Sequence, residues 1–289
     1  MFRTSAARSR NKTLQHVALL VSLVLVSCAR PEPGKPTGLK IATSLPVFES
    51  ILGELVTSED AVYSLLGEND SPHDYQPRPS DIKVFADADI IILGHEHVDG
   101  WASELTDQQV YFLATDDTGH INDENPHFWF NPIDVVRTTD GLADLFCGIR
   151  PSACPRYQAN YLNFSTAMSV LDSTIASIVY PLENQAVIVS RPFFAPFLDR
   201  YHIRSLTTLE PSPGHAVSPS DVIYILKQLD TTAPIGIIAQ PHVSGGIVSL
   251  VAQETKLAIV YVSPIGSKGV AYGDFMRATA ESLTSLTRK

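Results

Sequence analysis

Residues 155–181 read PRYQANYLNFSTAMSVLDSTIASIVYP. Tyr157, Tyr161, Phe164, Met168, Leu171, Ile175 and Ile178 recur at spacings of 4, 3, 4, 3, 4 and 3, which puts them on one stripe of an α-helix. Pro155 suits a first helical turn and Pro181 a stop. A helix of about 25 residues is long for a globular protein. It is long enough to run the length of two lobes and join them. Four short apolar, β-branched runs precede it (39–44, 61–66, 89–93, 110–114) and four follow it (186–190, 205–209, 235–239, 258–262). Several are nearly all apolar, as strands buried on both faces of a parallel sheet are. Helical patterns over 47–55, 79–86, 133–145, 219–229 and 246–254 lie between them. The expected fold class is therefore α/β: two lobes, each a four-stranded mainly parallel sheet flanked by helices, joined by one long backbone helix. The boundaries fall at 39–154 for the N-terminal lobe, 155–182 for the connecting helix and 183–289 for the C-terminal lobe.

The 289 residues are 44% hydrophobic and 18% charged, which excludes long disorder and a multi-span membrane protein. The formal charge of −10 removes the electrostatic reason to bind nucleic acid. The chain opens with Arg3, Arg8, Arg10 and Lys12, then the apolar run Val17–Val26, then Ser27-Cys28. That order is a charged n-region, a short apolar h-region and a small residue before a cysteine. A run of ten residues, with Ser22 its one polar member, is too short to span a bilayer, which takes about 20. Leu25-Val26-Ser27-Cys28 resembles a bacterial lipobox, so 1–27 is expected to be a lipoprotein signal peptide and Cys28 the lipidated first mature residue. Residues 28–38, with three prolines and two glycines, read as an extended tether. Cys147 and Cys154 remain. In an oxidising compartment they are expected to pair and close a small structural loop, two buried free thiols being the alternative.

Of nine histidines, His73, His95, His97, His120, His127, His215 and His242 fall in predicted loops or just past strand ends, where ligands bind in open α/β sheets. Neutral imidazole is also the commonest metal ligand. Pro72-His73-Asp-Tyr75-x-Pro77-x-Pro79-Ser80-Asp81 is a proline-stiffened loop after a strand, with Ser80-Asp81 placed to cap a helix. Asn125-Pro126-His127-Phe128-Trp129-Phe130-Asn131-Pro132 wedges a histidine into an aromatic turn, with the aromatics expected to floor a cleft. His120 lies in an acidic loop read as solvated, and His202 is expected to end a helix. Ile90-Ile-Ile-Leu-Gly-His95-Glu-His97 carries a His-x-His after a buried strand. It reads first as a solvated turn before the helix containing Trp101, with a secondary capture site and a metal-dependent hydrolase as the alternatives.

The loops around His73 and His127 resemble the metal-binding loops of the zinc/manganese class of ABC-transporter solute-binding lipoproteins, the cluster A-I type. The order of motifs agrees from Ala42-Thr43-Ser44-Leu45-Pro46 to Pro264. The resemblance implies two α/β lobes on a rigid backbone helix and no catalysis. It implies a divalent metal, Zn2+ or Mn2+, held in the cleft as transported ligand. It implies an ABC permease with a separate ATPase subunit as partner, and a lipid-anchored, extracytoplasmic, monomeric protein. His73 and His127 take two of the family's four ligand positions. The other two, a His or Glu and an acidic residue, fall on Arg191 and Ser263, and a family Glu falls on Gln240.

An arginine stays protonated and cannot ligate, and zinc wants four ligands. Three readings therefore stay open. Substitute ligands, His242 and His215, complete the site while Arg191 pairs with Glu210 or Asp221. Alternatively Arg191 with His73 and His127 holds an anion or a metal chelate. In the third, metal capture has degenerated and the protein is an accessory one.

Overall fold

The computed structural model describes residues 38–68, 70–72, 75–115, 125–211, 227, 232–241 and 245–287. The first half holds strands β1 (Lys40–Thr43), β2 (Ala61–Ser64), β3 (Ile90–Leu93) and β4 (Val110–Phe112), all parallel, in the order β2-β1-β3-β4. The second holds β5 (Ala186–Val189), β6 (Arg204–Thr208), β7 (Ile237–Ala239) and β8 (Ile259–Tyr261), again all parallel, in the order β6-β5-β7-β8. The two sheets share one topology. Inner strands β3 and β5 are buried at every residue, which is why both read as unbroken apolar runs. Outer strands β2, β6 and β8 keep polar or exposed positions such as Tyr63, Arg204 and Tyr261.

Helices α1 (Pro46–Leu55), α2 (Pro79–Ala86) and α3 (Glu96–Asp99) follow the first three strands. Next come α4 (Pro132–Thr138) and α5 (Leu142–Ile149). The single helix expected over 133–145 is thus two. Gly141, at φ 84°, adopts the left-handed conformation that only glycine takes without strain, and the chain turns there. The backbone helix α6 (Cys154–Val179) has 26 residues, so it is about 39 Å long. It buries Tyr157, Phe164, Met168, Leu171 and Ile175 of the predicted stripe, while Tyr161 and Ile178 pack partly buried at its margin. Helices α7 (Ala195–Arg200), α8 (Gly245–Thr255) and α9 (Tyr272–Leu283) complete the described set. The last was not expected from the apolar pattern. It packs on α6 and α1, so the chain beyond β8 returns to the first sheet's side. His202 follows α7 at φ 55°, past the helix end as expected. The helix expected over 219–229 lies, apart from Lys227, outside the described residues, as do the signal peptide, Cys28 and the tether up to Gly38.

Cys147 and Cys154 are bonded, with Cα atoms 4.5 Å apart, clipping α5 to the start of α6. Between them Arg150 reaches back to Asp60 at 2.8 Å and to Glu59. Asp60 also accepts from the backbone N–H of Leu39 and Thr57, at 2.7 and 2.8 Å, and so closes the base of the first sheet. The loop spans only 7 residues in sequence, and loop-closure entropy gives a crosslink of that size about 2–3 kcal/mol. Replacing both cysteines by serine should lower the melting temperature by roughly 4–10 °C. A calorimetric midpoint that does not move would show that the clip adds nothing to the packing already there.

Candidate functional site

Each sheet reverses its winding direction once, between β1 and β3 and between β5 and β7. Strand-order reversal opens a crevice beyond the carboxyl ends of those strands. The chain segments leaving these four strand ends are Ser44, Gly94-His95, Ser190-Arg191 and Gln240. A cavity of about 310 Å³ lies between the two crevices. It is lined by His97, His127, Arg191, Glu210 and Gln240, with an apolar frame that includes Trp129, Phe193 and Pro264.

His127 is oriented by Asn125. The Asn125 side-chain amide donates to the Pro192 carbonyl at 2.6 Å, so its Oδ1 is the acceptor for both His127 N–H (3.1 Å) and His127 Nδ1 (2.7 Å). Nδ1 therefore carries the ring proton, which puts the imidazole lone pair on Nε2. This is the arrangement of metal-binding histidines, whose second nitrogen donates to a carbonyl or carboxylate. Of the aromatic run expected to floor the cleft, Trp129 lines the cavity, while Phe128 and Phe130 are buried. Trp129 meets Phe48 edge-on at 5.2 Å, and Phe130 contacts Phe193 and Phe194 from the other half of the chain. The buried Trp129 indole donates to the Pro264 carbonyl at 2.8 Å, and Tyr272 Oη donates to the Trp129 carbonyl at 2.8 Å.

In the cavity wall Arg191 Nε donates to Glu210 Oε2 at 3.0 Å. Both residues are about one-sixth exposed. The Glu210 backbone N–H donates to the Ser190 carbonyl at 2.8 Å, which holds the end of β6 beside the end of β5. Of the two partners weighed for Arg191, the pair forms with Glu210; Asp221 lies outside the described residues. The pair gives Arg191 a counter-charge within the chain, which weighs against an anion site there. Pro264 and Ile265 line the cavity beyond β8, and Ser263 does not.

His95 and His97 part company. His95 is 2% exposed, and its Nδ1 accepts the His97 backbone N–H at 3.1 Å. His97 is exposed and lines the cavity. His95 is thus built into the turn, and of the pair His97 is the one that lines the cavity. The turn is fixed by Asp99, fully buried, whose carboxylate accepts from Gly94 N–H (2.8 Å), His95 N–H (2.9 Å) and the Ser44 hydroxyl. Gly94 lies so close to Phe48 that a Cβ there would stand 2.1 Å from the ring. Burial pushes the Asp99 carboxyl up to about 6, against the lowering effect of those donors. Asp99 and Asn125 were not singled out from sequence. The signal available was their spacing: Asn-x-His for Asn125, and the fourth residue after a turn histidine for Asp99.

His73, His120, His215 and His242 lie outside the described residues. Among the described residues no three His, Cys, Asp or Glu side chains form a group that could hold a metal.

Residues 41–286 match the family described as "Zinc-uptake complex component A periplasmic", ZnuA. The chain belongs to this family. Among curated relatives, a manganese-binding lipoprotein, MntA, of Halalkalibacterium halodurans is 22% identical over 93% of this chain and 96% of its own length. Among solved structures, a crystal structure of ZnuA aligns with a TM-score of 0.75 at 19% identity, covering 86% of this chain and 98% of that one. The solute-binding protein FpvC of Pseudomonas aeruginosa, solved with Mn2+, aligns at 0.74 and 18% identity, covering 86% and 98%. The fold read from the sequence, two four-stranded parallel sheets on one long helix, is the ZnuA-like fold.

Every partner of the Asp99 carboxylate is a donor, so Asp99→Asn turns an NH2 group toward Gly94 N–H or His95 N–H. Denaturant unfolding at pH 7 should show a loss of about 1–3 kcal/mol. The folded carboxyl titrates near 6 and its ordinary value is 3.8, so the folded state holds the proton more tightly. This contribution to stability is full below about pH 4 and lost as pH rises toward 6. A variant that keeps the same slope over that window would clear Asp99 as its source.

Proposed function

We propose that this protein is the lipid-anchored, extracytoplasmic solute-binding component of a metal ABC transporter. It captures a divalent transition metal, zinc before manganese, and passes it to a membrane permease served by a separate ATPase subunit. The observation that carries this reading is His127. It lines a cavity where the crevices of two sheets meet, with its Nδ1 held by Asn125, the second-nitrogen support that metal-binding histidines have. Membership of a zinc-uptake family supports the same ligand class. Imidazole ligation favours zinc over manganese, which prefers oxygen-rich sites.

His73 joins His127 as a ligand on the family pattern, and His242 and His215 are candidates for the remaining positions. Cys28 carries the lipid, residues 28–38 tether the globule, and the chain acts as a monomer and catalyses no reaction. The metal is cargo. The chain's task is to hold it and release it intact, which weak hydrogen-bonded orientation of neutral ligands permits better than a closed thiolate site.

The chain from Cys28 onward, stripped with a chelator, should gain stability saturably with zinc. At free zinc a hundredfold above Kd the gain is about 2.7 kcal/mol. His127→Ala should abolish most of it, and Asn125→Ala should weaken zinc roughly 10–100-fold by freeing the ring tautomer. Stabilisation by phosphate or small carboxylates, with none by zinc or manganese, would overturn the metal reading.

A further inference from the structure

The chain between β8 and α9 crosses from the second sheet toward the first half, because α9 packs on α6 and α1. On the way Pro264 and Ile265 line the cavity. Two of the bonds that fix this crossing to the first half are buried. The Pro264 carbonyl accepts from Trp129 Nε1–H at 2.8 Å, and the Ile265 carbonyl accepts from Val47 N–H at 2.9 Å. A further bond lies at the surface. The exposed Lys268 donates from Nζ to the Ser64 carbonyl at 2.8 Å, across 204 residues of sequence.

Both partners of the surface bond are held in place. Ser64 ends β2, and its N–H (3.1 Å) and hydroxyl donate to the Glu49 carboxylate on α1. Lys268 stands at the corner of a tight turn, in which the Val270 N–H donates to the Ser267 carbonyl at 3.2 Å and Gly269 has φ 75°. A positive φ at the third turn position is what a type II turn requires, and glycine supplies it without strain. The chain leaving Ser64 reaches the cavity at Pro72. The Lys268 bond therefore ties together two stretches that both enter the cavity lining, one ending at Pro72 and one beginning at Pro264. The buried ties cannot open without unpacking Trp129 and Val47 from the core. An exposed ammonium loses little on leaving a carbonyl, because water takes its place, so this is the tie that opens first.

We propose that the Lys268–Ser64 bond is a clasp that sets the rate of cargo exchange. Closed, it holds the 267–270 turn against the end of β2 and so fixes the wall at Pro264 and Ile265. Open, it lets that wall yield while the buried ties keep the two halves in register. Lys268 does not line the cavity itself, so it is a positioning residue. The clasp acts on the path in and out and not on the bound state. It therefore changes entry and exit together and leaves affinity where it is. The proposal rests on the metal-capture reading above.

The test is stopped-flow exchange of Zn2+ and Mn2+ on the chelator-stripped mature chain, with association and dissociation followed separately against a chelating dye. Lys268→Met keeps the apolar stem and removes the donor. It should raise both rates about three- to tenfold, the effect of losing one surface hydrogen bond from a charged group, with Kd within about twofold of wild type. Lys268→Arg keeps a donor and should return both rates toward wild type. Unchanged rates in Lys268→Met overturn the inference. So does a weaker Kd carried by dissociation alone, which is what damage to the bound state produces. Hydrogen exchange of the metal-free chain gives a readout that needs no cargo. Lys268→Met should speed exchange at the Val270 N–H and leave the Val47 N–H protected. Exchange at Val270 equal to wild type, or loss of protection at Val47 as well, shows that the bond is not a separate clasp. Wild type that binds neither metal removes the transport reading and the gating role together. Wild type that binds, with both rates unmoved in Lys268→Met, removes this inference alone.

Discussion

A single indole proton ties the two halves of this chain together where it matters. Trp129 comes from the turn before α4 and is 1% exposed, and its Nε1–H reaches the Pro264 carbonyl, 135 residues further along the chain. Leaving that proton unpaired in the core costs about 1–3 kcal/mol, so the turn and the segment beyond β8 cannot separate without penalty. The Tyr272 hydroxyl clamps the Trp129 carbonyl from the other side, and the Val47 N–H donates to the Ile265 carbonyl at 2.9 Å. The cavity is built on this joint: Trp129 and Pro264 are both in its wall, and His127 lies two residues from the indole. The joint sets the distance between the crevices, and with it the size of anything that can be held between them.

The backbone helix adds a second restraint of a different kind. Hinged binding proteins open by changing a few backbone torsions between domains. Here α6 packs against α1, α4 and α5 and also against α9, so a large opening would unpack a helix of 26 residues along much of its length. Closure on a ligand is therefore a matter of side chains and loops around the cavity.

The fold was legible because its signals are local and repeated. Ile90–Leu93 and Ala186–Val189 are unbroken apolar runs because they are inner strands, and the stripe from Tyr157 to Ile178 has helical spacing because one face of α6 is core. The break at Gly141 and the helix α9 were less legible. A left-handed glycine inside an apolar pattern looks like an interruption the helix could absorb. In α9, Met276, Ala280 and Leu283 are buried among polar neighbours, so its stripe is thin. Part of the site was legible from motif and spacing: His127 with its aromatic turn, and Arg191 as an anomaly with Glu210 as a partner. The roles of Asn125 and Asp99 were not, because they arise from contacts with Pro192 and Ser44, 67 and 55 residues away, and no local pattern encodes such pairings.

The arginine in the cleft is the feature that a metal reading has to accommodate. At an effective dielectric near 20, two unit charges 4 Å apart interact by about 4 kcal/mol, so a dication beside an uncompensated guanidinium faces roughly twice that in repulsion. A carboxylate interposed between them gives an attraction of at least the same size, because it approaches the dication more closely than the guanidinium can. The Arg191–Glu210 pair has the partners such an arrangement needs, with Nε engaged on one carboxylate oxygen and both residues in the cavity wall. The pair also presents no net charge to an empty cleft, whereas a lone buried carboxylate would be costly to keep ionised there. An arginine at a ligand position is thus compatible with cation capture when its counter-charge is the group that faces the cation, and incompatible with it when that counter-charge is removed.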